Sequence, residues 1–209
     1  MVRPRVRIRF CKQGDLRLIG HRDLMRCLER LFRRAGLALA MSQGFHPKPR
    51  VTFPLALAVG IEGRDEVMEF ELTETPAAGE LLRRLAPQAP PGLVFRSVEV
   101  LPPGSRKARP RSAEYEALIP VARRDGLDER IGRLWAASSW PWQRPARDAV
   151  IDLRADLEAL SLAEGRLHMR LRSGPEARTG PRDVLAALDL ADLEQQGAAL
   201  IRTTVELDS

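Results

Sequence analysis

Val6, Ile8 and Phe10 alternate with Arg5, Arg7 and Arg9. That period of two predicts a strand with one buried face and one cationic face. Gly14-Asp15 ends it. Beyond Gly20 the period changes. Leu24, Leu28, Leu31, Phe32 and Ala35 recur at helical spacing, predicting a helix of about fifteen residues that Gly36 stops. Arg22, Arg26, Arg30 and Arg33 form a second stripe on its solvent side. Val51, Phe53, Leu55 and Leu57 predict another strand, which Pro54 marks as edge or bulged. After a turn over 60–65, Met68, Phe70 and Leu72 alternate with Glu69 and Glu71. A short helix follows over 77–85, then a strand carrying Val94, Val98 and Val100.

The predicted order over residues 5–101 is β-α-β-β-α-β, the split βαβ or ferredoxin-like arrangement. Residues 102–112 are rich in Pro and Arg and read as a linker. Beyond them, Tyr115, Ala117 and Ile119 predict a strand, 127–137 a helix and 140–143 a short extended piece. Strands are expected over 150–162, with a break possible inside it, and over 167–171. A helix over 181–188 and a strand over 200–207 complete the chain. With one extra strand the same order returns. The expected class is α+β: tandem ferredoxin-like domains over 1–101 and 113–209, with antiparallel sheets and helices on one face.

Length and composition agree with this division. The chain has 209 residues, 44% hydrophobic and 30% charged, ordinary for one large or two small globular domains. No apolar run approaches the roughly 18 residues of a membrane span. No apolar signal region follows the basic Met1–Arg5 segment, so a cytoplasmic protein without membrane contact is expected. Cys11 and Cys27 form neither a disulfide framework nor a metal cluster and read as small core residues. No metal or cofactor site is expected.

Charge changes the picture more. Net charge is +6, but residues 1–50 hold 13 Lys and Arg against Asp15, Asp23 and Glu29, a local excess of +10. Such a concentration suits a polyanion, most often nucleic acid. The strand arginines Arg5, Arg7 and Arg9 have a plainer explanation in cross-strand pairing with Glu69, Glu71 and Glu99.

The stretch Ser42-Gln43-Gly44-Phe45-His46-Pro47-Lys48-Pro49-Arg50 concentrates the candidate chemistry. Gly44, Pro47 and Pro49 make it a loop, and functional groups gather on loops that a scaffold holds. Gln43 could read a base edge, Phe45 could stack, and His46, Lys48 and Arg50 could meet phosphate. The alternative is that Phe45 anchors the loop while the polar groups face solvent. Arg22, Arg26, Arg30 and Arg202 are further candidates for RNA or phosphate contact. His21, at a predicted helix start, could act with His46 as a catalytic acid–base pair. Its plainer role is capping or packing. Asp23 reads as a first-turn acid, Gly180-Pro181-Arg182 as an ordinary helix start and His168 as structural. Trp135, Trp140 and Trp142 read as packing rather than base stacking.

Gly20-His21-Arg22-Asp23-Leu24-Met25, the 42–50 stretch and Leu55-Ala56-Leu57-Ala58-Val59-Gly60-Ile61-Glu62-Gly63 together resemble the bacterial radical-SAM-linked proteins. That family has no established function and often stands fused C-terminal to a radical SAM protein. Pro181–Leu185 and Ile201–Thr203 resemble its weaker C-terminal signatures. The resemblance implies partnership with a radical SAM enzyme. This chain lacks C-x-x-x-C-x-x-C, so that enzyme would be a separate polypeptide. The expectation is an RNA-binding accessory factor for tRNA or rRNA modification or processing. The alternatives are a docking module for the radical SAM partner and an RNA-acting acid–base enzyme.

Overall fold

The alternating pattern at the N-terminus becomes a central strand. The computed structural model describes residues 3–74, 76–144 and 150–208, and the chain divides into two units, Met1–Arg109 and Pro110–Ser209. The first unit runs β1 (Arg5–Lys12), α1 (His21–Arg34), β2 (Val51–Thr52), β3 (Glu62–Glu71), α2 (Ala78–Leu85) and β4 (Leu93–Leu101). Its strands lie in the order β4-β1-β3-β2, each pair antiparallel. Val6, Ile8 and Phe10 of β1 are buried in one core with Leu24, Leu28, Leu31 and Phe32 of α1 and Leu81 and Leu85 of α2. Because those β1 side chains share one sheet face, both helices cover that face.

Local chemistry sets the ends of these elements. At the end of α1 the Gly36 N–H donates to Arg33 O at 3.0 Å and the Leu37 N–H to Phe32 O at 3.0 Å. Gly36 holds φ +64°, so the helix closes in a Schellman motif that glycine adopts without steric penalty. The strand expected over 51–57 is shorter than its apolar pattern and stops at Thr52. Pro54 has no N–H for a ladder and ends the pairing. Conversely, β3 begins at Glu62, inside the expected turn, with Lys12 opposite Gly63. A Cβ on Gly63 would lie 2.4 Å from Glu66 Cγ, so that approach needs glycine.

The second unit runs β5 (Pro110–Leu118), α3 (Leu127–Ala136), β6 (Pro141–Gln143), β7 (Val150–Asp152), α4 (Leu153–Asp156), β8 (Leu157–Ala163), β9 (Arg166–Arg172), α5 (Pro181–Ala187) and β10 (Leu200–Leu207). Its main strands lie in the order β10-β5-β9-β8, all antiparallel. β6 and β7 pair separately. The break allowed for inside 150–162 is the single turn α4, which Asp152 caps by accepting from the Arg154 N–H at 3.0 Å. β5 starts at Pro110, so 110–112 belongs to a strand. The protein is thus mixed α+β, with mostly antiparallel strands and helices. Among the described residues no helix is long and apolar enough to cross a membrane.

Candidate functional site

The loop after α1 is pinned at its base. Met41 and Pro49 form an antiparallel bridge. The Arg50 N–H donates to Ala40 O at 2.9 Å, and the Ser42 N–H donates to Lys48 O at 2.8 Å. The Lys48 N–H donates back to Ser42 Oγ at 2.9 Å. Gly44 takes φ +127°, a conformation that side chains disfavour. Inside this closed ring Gln43, Phe45, His46 and Lys48 are all exposed. Phe45 is fully so, at 102% relative exposure. The alternative in which Phe45 anchors the loop to the core is therefore overturned. An aromatic side chain that could gain about 1.5–3 kcal/mol from burial is held in water by a loop whose backbone is tied elsewhere.

Beside the loop base lies a cavity of about 220 Å3, lined by Arg5, Ser42, Arg50, Thr52, Glu69, Phe70, Glu71 and Lys107. Glu69 is buried and heavily matched. It accepts from Arg7 Nε at 3.0 Å and Nη2 at 2.9 Å and from the Ala108 N–H at 3.2 Å. Arg5 Nη1 lies 3.8 Å away. Arg50 pairs with Glu71 at 3.3 Å. Arg5 Nη1 is buried and has no hydrogen-bond acceptor among the described residues, so the Glu69 carboxylate meets it by charge alone. Neither Lys107 nor Ser42 was singled out by sequence alone. Lys107 was hidden in the stretch read as linker, whereas Ser42 carried a legible signal, a hydroxyl at the mouth of a Gly- and Pro-bearing loop.

The remaining arginines divide in two. On β1, Arg7 bridges Glu69 and Glu99 and Arg9 pairs with Asp65, so this face is largely a cross-strand ion-pair lattice. On α1, Arg22, Arg26, Arg30 and Arg33 are exposed. Arg26 pairs with the first-turn acid Asp23 at 3.4 Å. Arg22, Arg30 and Arg33 make no ion pair among the described residues. Arg202 is 2% exposed in β10. It is withdrawn from the candidate surface because its guanidinium does not reach solvent.

His21 opens α1 and meets the Phe53 ring edge-on, with centroids 5.2 Å apart. It lines a second cavity, of about 10 Å3, with Lys12 and Glu66. That space holds about one water at most. Among the described residues no hydrogen bond or ring contact joins His21 to His46. Cys11 is buried, donates to Arg64 O at 3.0 Å and accepts from Arg96 Nε at 2.9 Å. This bond raises the Arg96 pKa above its usual value. In the second unit, Asp183 accepts from the Gly180 N–H at 2.8 Å and Arg182 pairs with Glu194, so the start of α5 is satisfied internally. The Arg154 guanidinium covers Trp135 at 4.2 Å. His168 is an exposed residue of β9.

Fold and site together define an α+β protein whose candidate surface is a pinned loop with an exposed aromatic, next to a cation-lined cavity. The chain belongs to the family DUF2344, described as an uncharacterized protein conserved in bacteria, whose model matches residues 5–181. No curated protein matches it. Among solved structures it is similar to an unknown protein from Galdieria sulphuraria, with 11% identity over 99% of each chain and a TM-score of 0.31. It is also similar to a protein provisionally described as a glycine cleavage system transcriptional repressor, with 10% identity over 100% of each chain and a TM-score of 0.27. Neither likeness carries an argument about function.

Proposed function

We propose that the protein is a cytoplasmic RNA-binding accessory factor that grips tRNA or rRNA during modification or processing. The observation that carries the reading is the pinned loop with Phe45 fully exposed among Gln43, His46 and Lys48. Base stacking on an aromatic ring is sequence-tolerant because every base has a π face. The neighbouring cations meet the backbone, and the amide of Gln43 can bond a base edge. Arg22, Arg30 and Arg33 of α1, which make no ion pair among the described residues, and the +10 excess of residues 1–50 supply the long-range attraction. Partnership with a separate radical SAM enzyme rests on the resemblance of the 20–25, 42–50 and 55–63 stretches. We read each unit as a ferredoxin-like variant because, with the strands of each main sheet numbered in chain order and the separate β6-β7 pair set aside, both run 4-1-3-2.

An exposed aromatic among basic groups also has the composition of a protein-binding hot spot, so docking on the radical SAM partner is the second reading. The acid–base reading has less support, since His21 faces Phe53 and His46 stands on the loop. The test is binding of total cellular RNA across a salt series, with a Gln43→Ala/His46→Ala/Lys48→Ala variant alongside. The expected result is log K falling by about 0.7 per phosphate contact with log salt for a single strand, with weaker binding in the variant. An affinity that is flat in salt sinks the RNA reading. Binding by neither protein moves the loop to the docking role.

A further inference from the structure

We propose that the cavity at the base of the loop is a phosphate-binding site; resting on the RNA reading, it takes one backbone phosphate of the strand whose base meets Phe45. Three cations, Arg5, Arg50 and Lys107, and two hydroxyls, Ser42 and Thr52, converge on it against Glu69 and Glu71. Its volume of about 220 Å3 lies below the roughly 300 Å3 at which sites for whole drug-sized ligands begin, which suits a single small group.

The charge arithmetic favours an anion. Glu69 is already met by two Arg7 nitrogens and the Ala108 N–H, and Glu71 by Arg50. Arg5 reaches Glu69 only at 3.8 Å, without a hydrogen bond, and Lys107 is left over. The buried Nη1 of Arg5 has no acceptor among the described residues, and Lys107 makes no ion pair among them. Ser42 Oγ receives the Lys48 N–H, so its own O–H remains free to donate. A guanidinium presents a planar fork of N–H groups that matches phosphate oxygens. The cavity and the loop share Ser42, so one residue ties the phosphate position to the loop that displays Phe45.

Three substitutions test this without emptying the core. Arg50 and Lys107 are exposed, so Arg50→Gln and Lys107→Glu should fold. Glu71→Gln releases Arg50 and removes the rim carboxylate, and so should bind more tightly. Binding of a fluorescent single-stranded oligoribonucleotide is measured across a salt series for wild type and each variant. Inorganic phosphate is then titrated against thermal unfolding of the same proteins.

Arg50→Gln and Lys107→Glu are expected to bind about tenfold more weakly, with the salt slope reduced by about 0.7 for the lost contact. Glu71→Gln is expected to bind a few-fold more tightly. Inorganic phosphate should raise the melting temperature of wild type and not of Lys107→Glu. Unchanged affinity and slope in all three variants, with no stabilisation by phosphate, overturn the site while leaving RNA binding through the loop intact. Absent RNA binding by wild type, with phosphate stabilisation that Lys107→Glu abolishes, keeps the anion site and removes the RNA reading.

Discussion

Ser42 and Lys48 are joined twice, by Ser42 N–H to Lys48 O at 2.8 Å and by Lys48 N–H to Ser42 Oγ at 2.9 Å. The two bonds close a ring whose interior side chains face water. Ser42→Ala keeps the first bond and deletes the second. It should lower stability by at most about 1 kcal/mol, because the loop is exposed. Its effect on RNA affinity should be larger, a loss of several-fold, since an untied loop must be ordered on binding. Urea denaturation and RNA titration on the same preparation separate the two effects.

Phe45 contacts none of the core. Phe45→Ala should therefore leave the melting temperature unchanged. If the ring stacks on a base, affinity should fall by about 1–3 kcal/mol, and Phe45→Trp should restore it. An unchanged affinity for RNA in Phe45→Ala would remove the stacking role.

Glu69 is the acid that organises the β1 arginines, with Arg7 bonded to it and Arg5 close by. Its carboxylate is 2% exposed. Glu69→Ala leaves the partly buried Arg5 without its counter-ion and Arg7 with only Glu99, at 3.9 Å. A fully buried pair broken this way costs about 3–5 kcal/mol. Arg7 keeps a quarter of its exposure, so about 2 kcal/mol is expected here, read from the urea midpoint. Arg7→Met/Glu69→Leu, which removes both charges, should recover part of the loss.

Asp152 caps the single turn α4 between β7 and β8 and makes the acid limb of stability testable. The Trp140 N–H, then the Ser139 hydroxyl and the Arg154 N–H, hold its carboxyl below the usual carboxylate range, against the opposing effect of burial. A depressed folded pKa means that the unfolded chain takes up the proton first. The contribution is complete above the ordinary value of about 3.9 and is lost as pH falls through the folded pKa. Asp152→Asn should flatten the pH dependence of the unfolding midpoint below about pH 4. Asp192, held low by Arg123, and Glu206, held low by Ser112, leave some acid sensitivity in that variant. At neutral pH, Asp152→Ala should cost about 1 kcal/mol through the lost cap.

Local periodicity carried the elements that bury one face. The alternation of Val6, Ile8 and Phe10, the stripe from Leu24 to Phe32 and the stop at Gly36 were legible, because each records a repeating contact with a core or a single special dihedral. The 42–50 stretch was legible as a loop too, since Gly44, Pro47 and Pro49 exclude regular structure wherever they stand. What lay beyond reach joins residues distant in sequence. Arg7 meets Glu69 across 62 positions, and the cation of Lys107 comes to the same cavity as Arg5 and Arg50. The burial of Arg202 and the full exposure of Phe45 likewise reverse what their side chains suggest. A strand's pattern says which of its faces is apolar. Only the tertiary structure decides what charge stands opposite the other face, which arginine is sealed in and which aromatic is held out in water.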